Sequence, residues 1–144
     1  MSDPDRLSGI RAKIERAKYH VDDLEGRIRA FREANPNLLI CNQNPQTSER
    51  VFRLTRQLPT EFSLVVGDAV HNLRSALDHL ACQLVTTAGH TPNRNTSFPI
   101  MDGPPRDRTA FNRKVQGVSP DAIRLINAVQ PYQSEYELTS CSDN

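Results

Sequence analysis

The sequence predicts a mainly α-helical fold: an antiparallel hairpin or bundle of two long helices, with a small β-hairpin inserted between them. Apolar residues recur at helical spacing over residues 5–34 and again over 61–86. The segment between them, 38–58, holds two short apolar runs separated by loop-forming residues. We expect residues 1–144 to form a single helical domain, because a chain of this length suits one hydrophobic core.

The first long helix is predicted from a narrow apolar seam with alternating spacings of three and four. It starts after Asp3-Pro4, where proline suits the first turn, and it stops before Asn35-Pro36. A stripe this narrow is typical of packing along one partner helix, either in the same chain or in a second copy. The seam consists of Leu7, Ile10, Ile14, Ala17, Val21, Leu24, Ile28 and Phe31.

The middle of the chain is predicted to hold the β-hairpin, over about 38–58. Its two apolar runs flank the sequence "NQNPQTS", which is typical of a loop. Arginine recurs at every third position of the second run, so a helical turn stays open as an alternative. The second long helix is predicted over about 61–86, with Thr60 as its N-cap and Gly89 near its C-cap.

The remainder is predicted as a loop with short helices over about 87–132, followed by a frayed tail over 133–144. One short helix is expected over 109–116, closed by Gly117. A clearer one has Ser119 as N-cap, Pro120 at the first helical position and Pro131 as its stop.

Composition and charge exclude several classes of protein. No apolar run approaches the roughly 20 residues of a membrane span, and no secretory signal is visible, so we expect a cytoplasmic protein without a membrane partner. The net charge of +1 gives no general signal for a polyanion, and no DNA-binding motif is present. The three cysteines form no CxxC motif, so we expect neither a zinc site nor another cofactor.

Basic residues are nevertheless concentrated over 94–114, where five of them stand against two acidic residues. A basic loop of this size either serves a phosphate group or is simply solvated. The solvated loop is the commoner of the two.

The second long helix carries an unusual polar face. On a helical wheel of about 100° per residue, polar side chains occupy one half, and apolar residues including Val70, Leu73 and Leu77 are predicted to face the core. A surface helix normally carries Lys and Glu on its polar half, yet residues 69–86 contain neither. Short hydrogen-bonding groups suit a partly buried interface or a site. They are His71, Asn72, Arg74, Ser75, Asp78 and His79.

Within this polar face, Arg74 and His79 form an Arg-x4-His pattern. When four to six residues are allowed between the arginine and the histidine, about one match is expected by chance in a chain of this composition, so the weight of this match comes from its position on the polar face. On a helix of an all-α domain, the pattern resembles the HEPN superfamily. More closely, "VVGDAVHNLRSALDHLACQLV" at 65–85, with "TSFPI" and "AVQPY", is similar to a group of uncharacterised bacterial proteins that carry GD-x-x-HNLRSALDHL.

The resemblance to the HEPN superfamily implies a metal-independent ribonuclease or RNA-binding module, of toxin or defence type, that works as a homodimer. Arg74 and His79 would be catalytic: His79 would take the proton of the RNA 2′-hydroxyl, and Arg74 would stabilise charge on the phosphorane. His71, Asn72, Ser75 and Asp78 would support them.

Two departures from the relatives bear on activity. HEPN domains usually have Asn, Asp or His directly after the arginine, where this chain has Ser75. Relatives with the same stretch usually continue past the QPY segment into further helix with an Asn and an Asp-Lys-His-Arg cluster. If that segment completes a site, we expect this chain to be a shortened and inactive version.

Two other interpretations of the polar face stay open. Arg74 and Asp78 are four residues apart and suit an intrahelical ion pair, while the histidines suit structural hydrogen bonds. The chain would then be a non-catalytic helical interaction protein whose polar face is a structural or dimer interface. A metal site built on His71, Asp78 and His79 would need further ligands, such as His20, His90 or Asp102, and we expect no metal.

Overall fold

The computed structural model describes residues 6–43, 45–47, 49–104 and 108–133. The predicted fold class is confirmed: the chain is mainly helical, with two long helices packed together and a small antiparallel β-hairpin between them. Residue 133 belongs to a short 3-10 helix rather than to a frayed tail, and the rest of the predicted tail lies outside the described residues. The elements are α1 (Ser8–Ala34), β1 (Leu39–Gln43), β2 (Arg50–Leu54), α2 (Thr60–Thr87), α3 (Thr109–Lys114), α4 (Pro120–Ala128) and the 3-10 helix (Pro131–Gln133).

The chain divides into two compact units. The hairpin unit comprises residues 11–74, which hold most of α1, the β-hairpin and the first half of α2. The C-terminal unit comprises residues 1–10 and 75–144, so it holds the second half of α2 together with α3 and α4.

In the hairpin unit, the C-terminal turns of α1 contact the first turn of α2. The rings of Phe31 and Phe62 meet edge to face, with centroids 5.6 Å apart. Arg27 donates hydrogen bonds to Asp23 at 2.8 Å and to Glu61 at 3.1 Å. Asp23, and then Glu61, raise the pKa of Arg27. Because exposed ion pairs stabilise little, the aromatic contact matters more for holding these helix ends together.

The apolar stripes of the two long helices are only partly covered in this unit. On α1, Ala17 is buried while Val21 and Ile28 are exposed. On α2, Val70 and Leu73 are 58% and 44% exposed, so the prediction that they face the core is wrong. A single neighbouring helix covers only a narrow stripe of another helix, and both residues lie outside the covered part.

The β-hairpin is an isolated two-stranded sheet whose ten strand residues are all exposed. Leu39 pairs with Leu54 and Cys41 pairs with Phe52 in antiparallel register. The helical-turn alternative for the arginine-containing run is therefore wrong, since Arg50 and Arg53 lie on a strand.

In the C-terminal unit, one core forms from the last turns of α2, the following loop, α3 and α4. Ser119 caps α4 as predicted, because its hydroxyl accepts a hydrogen bond from the Ala122 amide, and Pro120 occupies the first turn. Gly117 has a φ of +87°, and a Cβ there would lie 3.1 Å from His90 and 3.2 Å from Val85. The buried core residues are Ala81, Val85, Phe98, Phe111, Val115, Val118 and Ile126.

Candidate functional site

All six residues of the predicted site lie on α2, and the division between the two units falls between Arg74 and Ser75. Three of them therefore belong to the hairpin unit and three to the C-terminal unit. His71 and His79 are exposed, whereas the other four residues are half-buried. The polar half of the helix is thus neither a plain solvent face nor a fully buried interface.

On the hairpin-unit side, the amide of Asn72 is engaged with its own helix. Its Nδ2 donates to the Asp68 carbonyl oxygen at 2.8 Å, one turn earlier. That donor is therefore already used inside the protein, while the imidazole of His71 is exposed. The side chain of Arg74 is half-buried.

On the C-terminal side, Asp78 has a clear structural contact. Its carboxylate accepts a hydrogen bond from the backbone N–H of Phe98 at 3.0 Å, and Phe98 itself is buried in the core. A bond from a backbone amide to a carboxylate is charge-assisted and stronger than a neutral one. Asp78 therefore fixes the "TSFPI" loop to α2.

His79, the next residue, has a different environment. Its side chain is exposed, and its imidazole makes no hydrogen bond with any residue that the structure describes. A ring with no internal partner is available to exchange a proton with a bound molecule.

Gln130 was not among the predicted residues, yet it is the one buried polar side chain in the described part of the chain, at 1% exposure. Its Nε2 donates to the carbonyl oxygens of Pro99 at 2.9 Å and Ile126 at 3.0 Å, and its Oε1 accepts from Met101 N–H at 3.0 Å. The sequence signal that could have identified it is its position in "AVQPY", where a polar residue stands between an apolar helix and a proline. Gln130 therefore holds the loop at Pro99 and Met101, just after Phe98, which Asp78 holds.

A second polar cluster surrounds the end of α3, in the basic segment noted in the sequence. We call it the Lys114 pocket, a concavity of about 220 Å³. It brings together two of the five basic residues of that segment. Its lining residues are Asn95, Ser97, Ala110, Arg113 and Lys114.

Residues 6–43, 45–47, 49–104 and 108–133 contain no cluster of side chains that could hold a metal ion. No three side chains of His, Cys, Asp or Glu come together there. Cys41 and Cys82 are both free thiols. None of the helices within these ranges combines the length and the hydrophobicity needed to cross a membrane.

Comparison of the chain with family models, with curated proteins and with solved structures finds no match. The resemblance to the HEPN superfamily therefore depends on the Arg-x4-His pattern of Arg74 and His79 alone. A functional assignment has to be argued from the chemistry of the residues themselves.

Proposed function

We propose that the chain is a HEPN-like, metal-independent ribonuclease or RNA-binding module of toxin or defence type, acting as a cytoplasmic homodimer. The observation that supports this most is the state of His79. Its imidazole is exposed and has no hydrogen-bond partner among the described residues, and it follows Arg74 by five positions on α2. A base without an internal partner is free to accept a proton from a ligand.

The proposed reaction uses the 2′-hydroxyl of RNA as its nucleophile. His79 takes the hydroxyl proton as the bond between O2′ and phosphorus forms, and Arg74 stabilises the negative charge on the phosphorane. The bond between phosphorus and O5′ then breaks, and O5′ takes the proton that the imidazole of His79 has accepted from the 2′-hydroxyl. The products are a 2′,3′-cyclic phosphate and a 5′-hydroxyl.

The composition of the polar face supports the same proposal. Lys and Glu are absent from residues 69–86, and most of the polar residues there are short hydrogen-bonding groups instead of the long solvated ones typical of a surface helix. Asn72 and Asp78 already use hydrogen-bonding atoms within the protein, which leaves His71 and Ser75 as supporting groups for a bound phosphodiester.

The test is cleavage of a single-stranded RNA in the presence of EDTA. The parent is expected to give cyclic phosphate ends, and Arg74→Ala and His79→Ala are each expected to lose at least about 100-fold in rate, since a general base typically contributes 10²–10⁴-fold. Matched controls are His90→Ala, an exposed histidine outside α2, and Arg124→Ala, whose partner is Asp121 on α4.

The controls should cleave like the parent, and circular dichroism should show that all variants are folded. A parent protein that neither cleaves nor binds RNA would refute the proposal. Equal losses in the histidine variants at 79 and 90 would also refute it, because the effect would then not depend on the polar face.

A non-catalytic helical interaction protein is the second candidate, and exposed apolar side chains on α2 favour it. Val66, Val70 and Leu73 are 44–58% exposed and follow each other at spacings of four and three, as in a helix-pairing seam. If the chain has this function, Leu73→Glu should dissociate a dimer in sedimentation experiments. The parent should then neither cleave nor bind RNA.

A further inference from the structure

The Lys114 pocket gathers two cationic side chains in one concavity. Lys114 is half-buried, and its Nζ lies 3.4 Å from Ser97 Oγ, the one hydrogen-bond partner it has in the described part of the chain. A neutral hydroxyl at this distance does not neutralise the ammonium. Because withdrawing a charge from water costs free energy unless an opposite charge compensates it, the half-buried Lys114 favours an anion beside it.

Arg113 adds a second positive charge to the pocket. Its guanidinium is exposed and forms neither an ion pair nor a hydrogen bond with any residue that the structure describes. No Asp or Glu is among the residues that line the pocket. Its lining therefore carries two uncompensated positive charges together with the hydroxyl of Ser97 and the amide of Asn95.

Hydrogen bonds hold the walls of the pocket in place. The Ser97 amide donates to the Lys114 carbonyl at 3.3 Å, and Asn93 Nδ2 donates to Gln116 Oε1 at 3.4 Å, so the loop is joined to the end of α3. The next residue, Phe98, is fixed to α2 by the Asp78 carboxylate. The backbone of the loop and of the end of α3, together with the Lys114–Ser97 pair, is thus positioned before a ligand binds, which lowers the entropic cost of binding.

Other basic residues with described contacts lack this combination. A larger concavity of about 820 Å³ in the hairpin unit is lined by Arg29 and Arg32, but Glu25 and Glu33 line it as well. Arg124 on α4 forms an ion pair with Asp121 at 2.7 Å. Carboxylates thus lie in the lining of the larger concavity and beside Arg124, whereas no carboxylate is among the lining residues of the Lys114 pocket.

We propose that the Lys114 pocket binds the phosphate group of a phosphate ester. Arg113 offers a planar donor pair and Lys114 a compact charge, the two side chains that most often bind phosphate, while Ser97 and Asn95 supply neutral donors. Pockets for drug-sized ligands hold about 300–1,000 Å³, so this smaller volume suits a single group such as phosphate. Such binding does not require the ribonuclease function.

The test uses amide NMR spectra during titration with inorganic phosphate. In the parent, phosphate should shift the resonances of residues 95–97 and 113–116. The double variant Arg113→Gln/Lys114→Gln should bind phosphate at least tenfold more weakly. The matched control Arg124→Gln removes the same kind of charge outside the pocket and should change the affinity less than twofold.

A second arm identifies the source of the phosphate, using a six-nucleotide RNA with hydroxyl groups at both ends. The ligand is a phosphodiester if this RNA binds and the pocket variants weaken its binding. The slope of log K against log salt concentration should then become shallower by about 0.7 for each lost phosphate contact. If only inorganic phosphate responds to the variants, the ligand is a phosphate monoester. Both results support the phosphate pocket.

The proposal is overturned if neither ligand binds more weakly to the double variant, or if Arg124→Gln weakens binding as much. Arg113→Gln alone serves as a second variant, because this exposed side chain forms no hydrogen bond or ion pair with any described residue. His79→Ala should retain phosphate binding while losing cleavage. Failure of the phosphate pocket and failure of the ribonuclease proposal are thus told apart.

Discussion

Replacing Gln130 by methionine is predicted to destabilise the C-terminal unit strongly. The side chain is 1% exposed, and its amide satisfies the carbonyls of Pro99 and Ile126 and the amide of Met101. Methionine has a similar length, so it fills the space but neither donates nor accepts these bonds. The variant therefore isolates the loss of hydrogen bonding from the loss of packing.

The size of the destabilisation follows from the buried polar groups that lose the Gln130 amide as their partner. A buried donor or acceptor without a partner costs about 1–3 kcal/mol. The Pro99 carbonyl and the Met101 amide lose their bonds, which gives a destabilisation of about 2–4 kcal/mol once the removal of the buried amide is allowed for. For a chain of this size, such a change lowers Tm by about 6–15 °C.

The measurement is thermal and urea unfolding followed by circular dichroism. The control is Gln133→Met, an exposed glutamine in the neighbouring 3-10 helix, which should stay within about 0.5 kcal/mol of the parent. If the free energy of unfolding of Gln130→Met is also within about 1 kcal/mol of the parent value, the hydrogen bonds of Gln130 do not hold this loop. The same conclusion follows if both variants are destabilised equally.

Three further changes probe local structure. Gly26→Ala on α1 should stabilise the hairpin unit by about 0.5–1 kcal/mol, since nothing lies within 4 Å of an added Cβ. Gly117→Ala should instead cost about 1–3 kcal/mol because of its positive φ and the close contacts of its Cβ, and equal urea midpoints for the two variants would contradict this reasoning. Asp78→Ala should cost about 1–3 kcal/mol in the same assay by leaving the Phe98 amide unpaired, and an unchanged midpoint would show that water replaces the carboxylate. In hydrogen exchange, amides of the β-hairpin should exchange faster than those of residues 76–85, and equal protection would mean that something covers the hairpin.

The fold was predictable because its signals are local. Helical periodicity marked both long helices, and Ser119-Pro120 marked the start of α4 to the residue. Which side of a helix is covered was not predictable in the same way. Val70 and Leu73 belong to the apolar half of α2, but their exposure depends on how far α1 covers it, and no local pattern encodes that.

Prediction from the sequence has the same limit for the individual side chains of the candidate site. The helical wheel placed Asp78 and His79 together on the polar half of α2. It did not distinguish the carboxylate that binds an amide 20 residues later in the chain from the imidazole that is exposed. The partners of Gln130 at 99 and 101 lie 31 and 29 residues away in the sequence, so its role followed only from the fold.

These long-range bonds join three segments of this chain. The stretch at 65–85, "TSFPI" and "AVQPY" are not three independent signals here, because Asp78 is bonded to Phe98 and Gln130 to Pro99 and Met101. No described hydrogen bond explains His79, and for that reason it is a sharper test of function than Asp78. Asp78→Ala should lose stability, whereas His79→Ala should keep its stability and lose RNA cleavage. If His79→Ala instead unfolds like Asp78→Ala, the polar face is structural throughout.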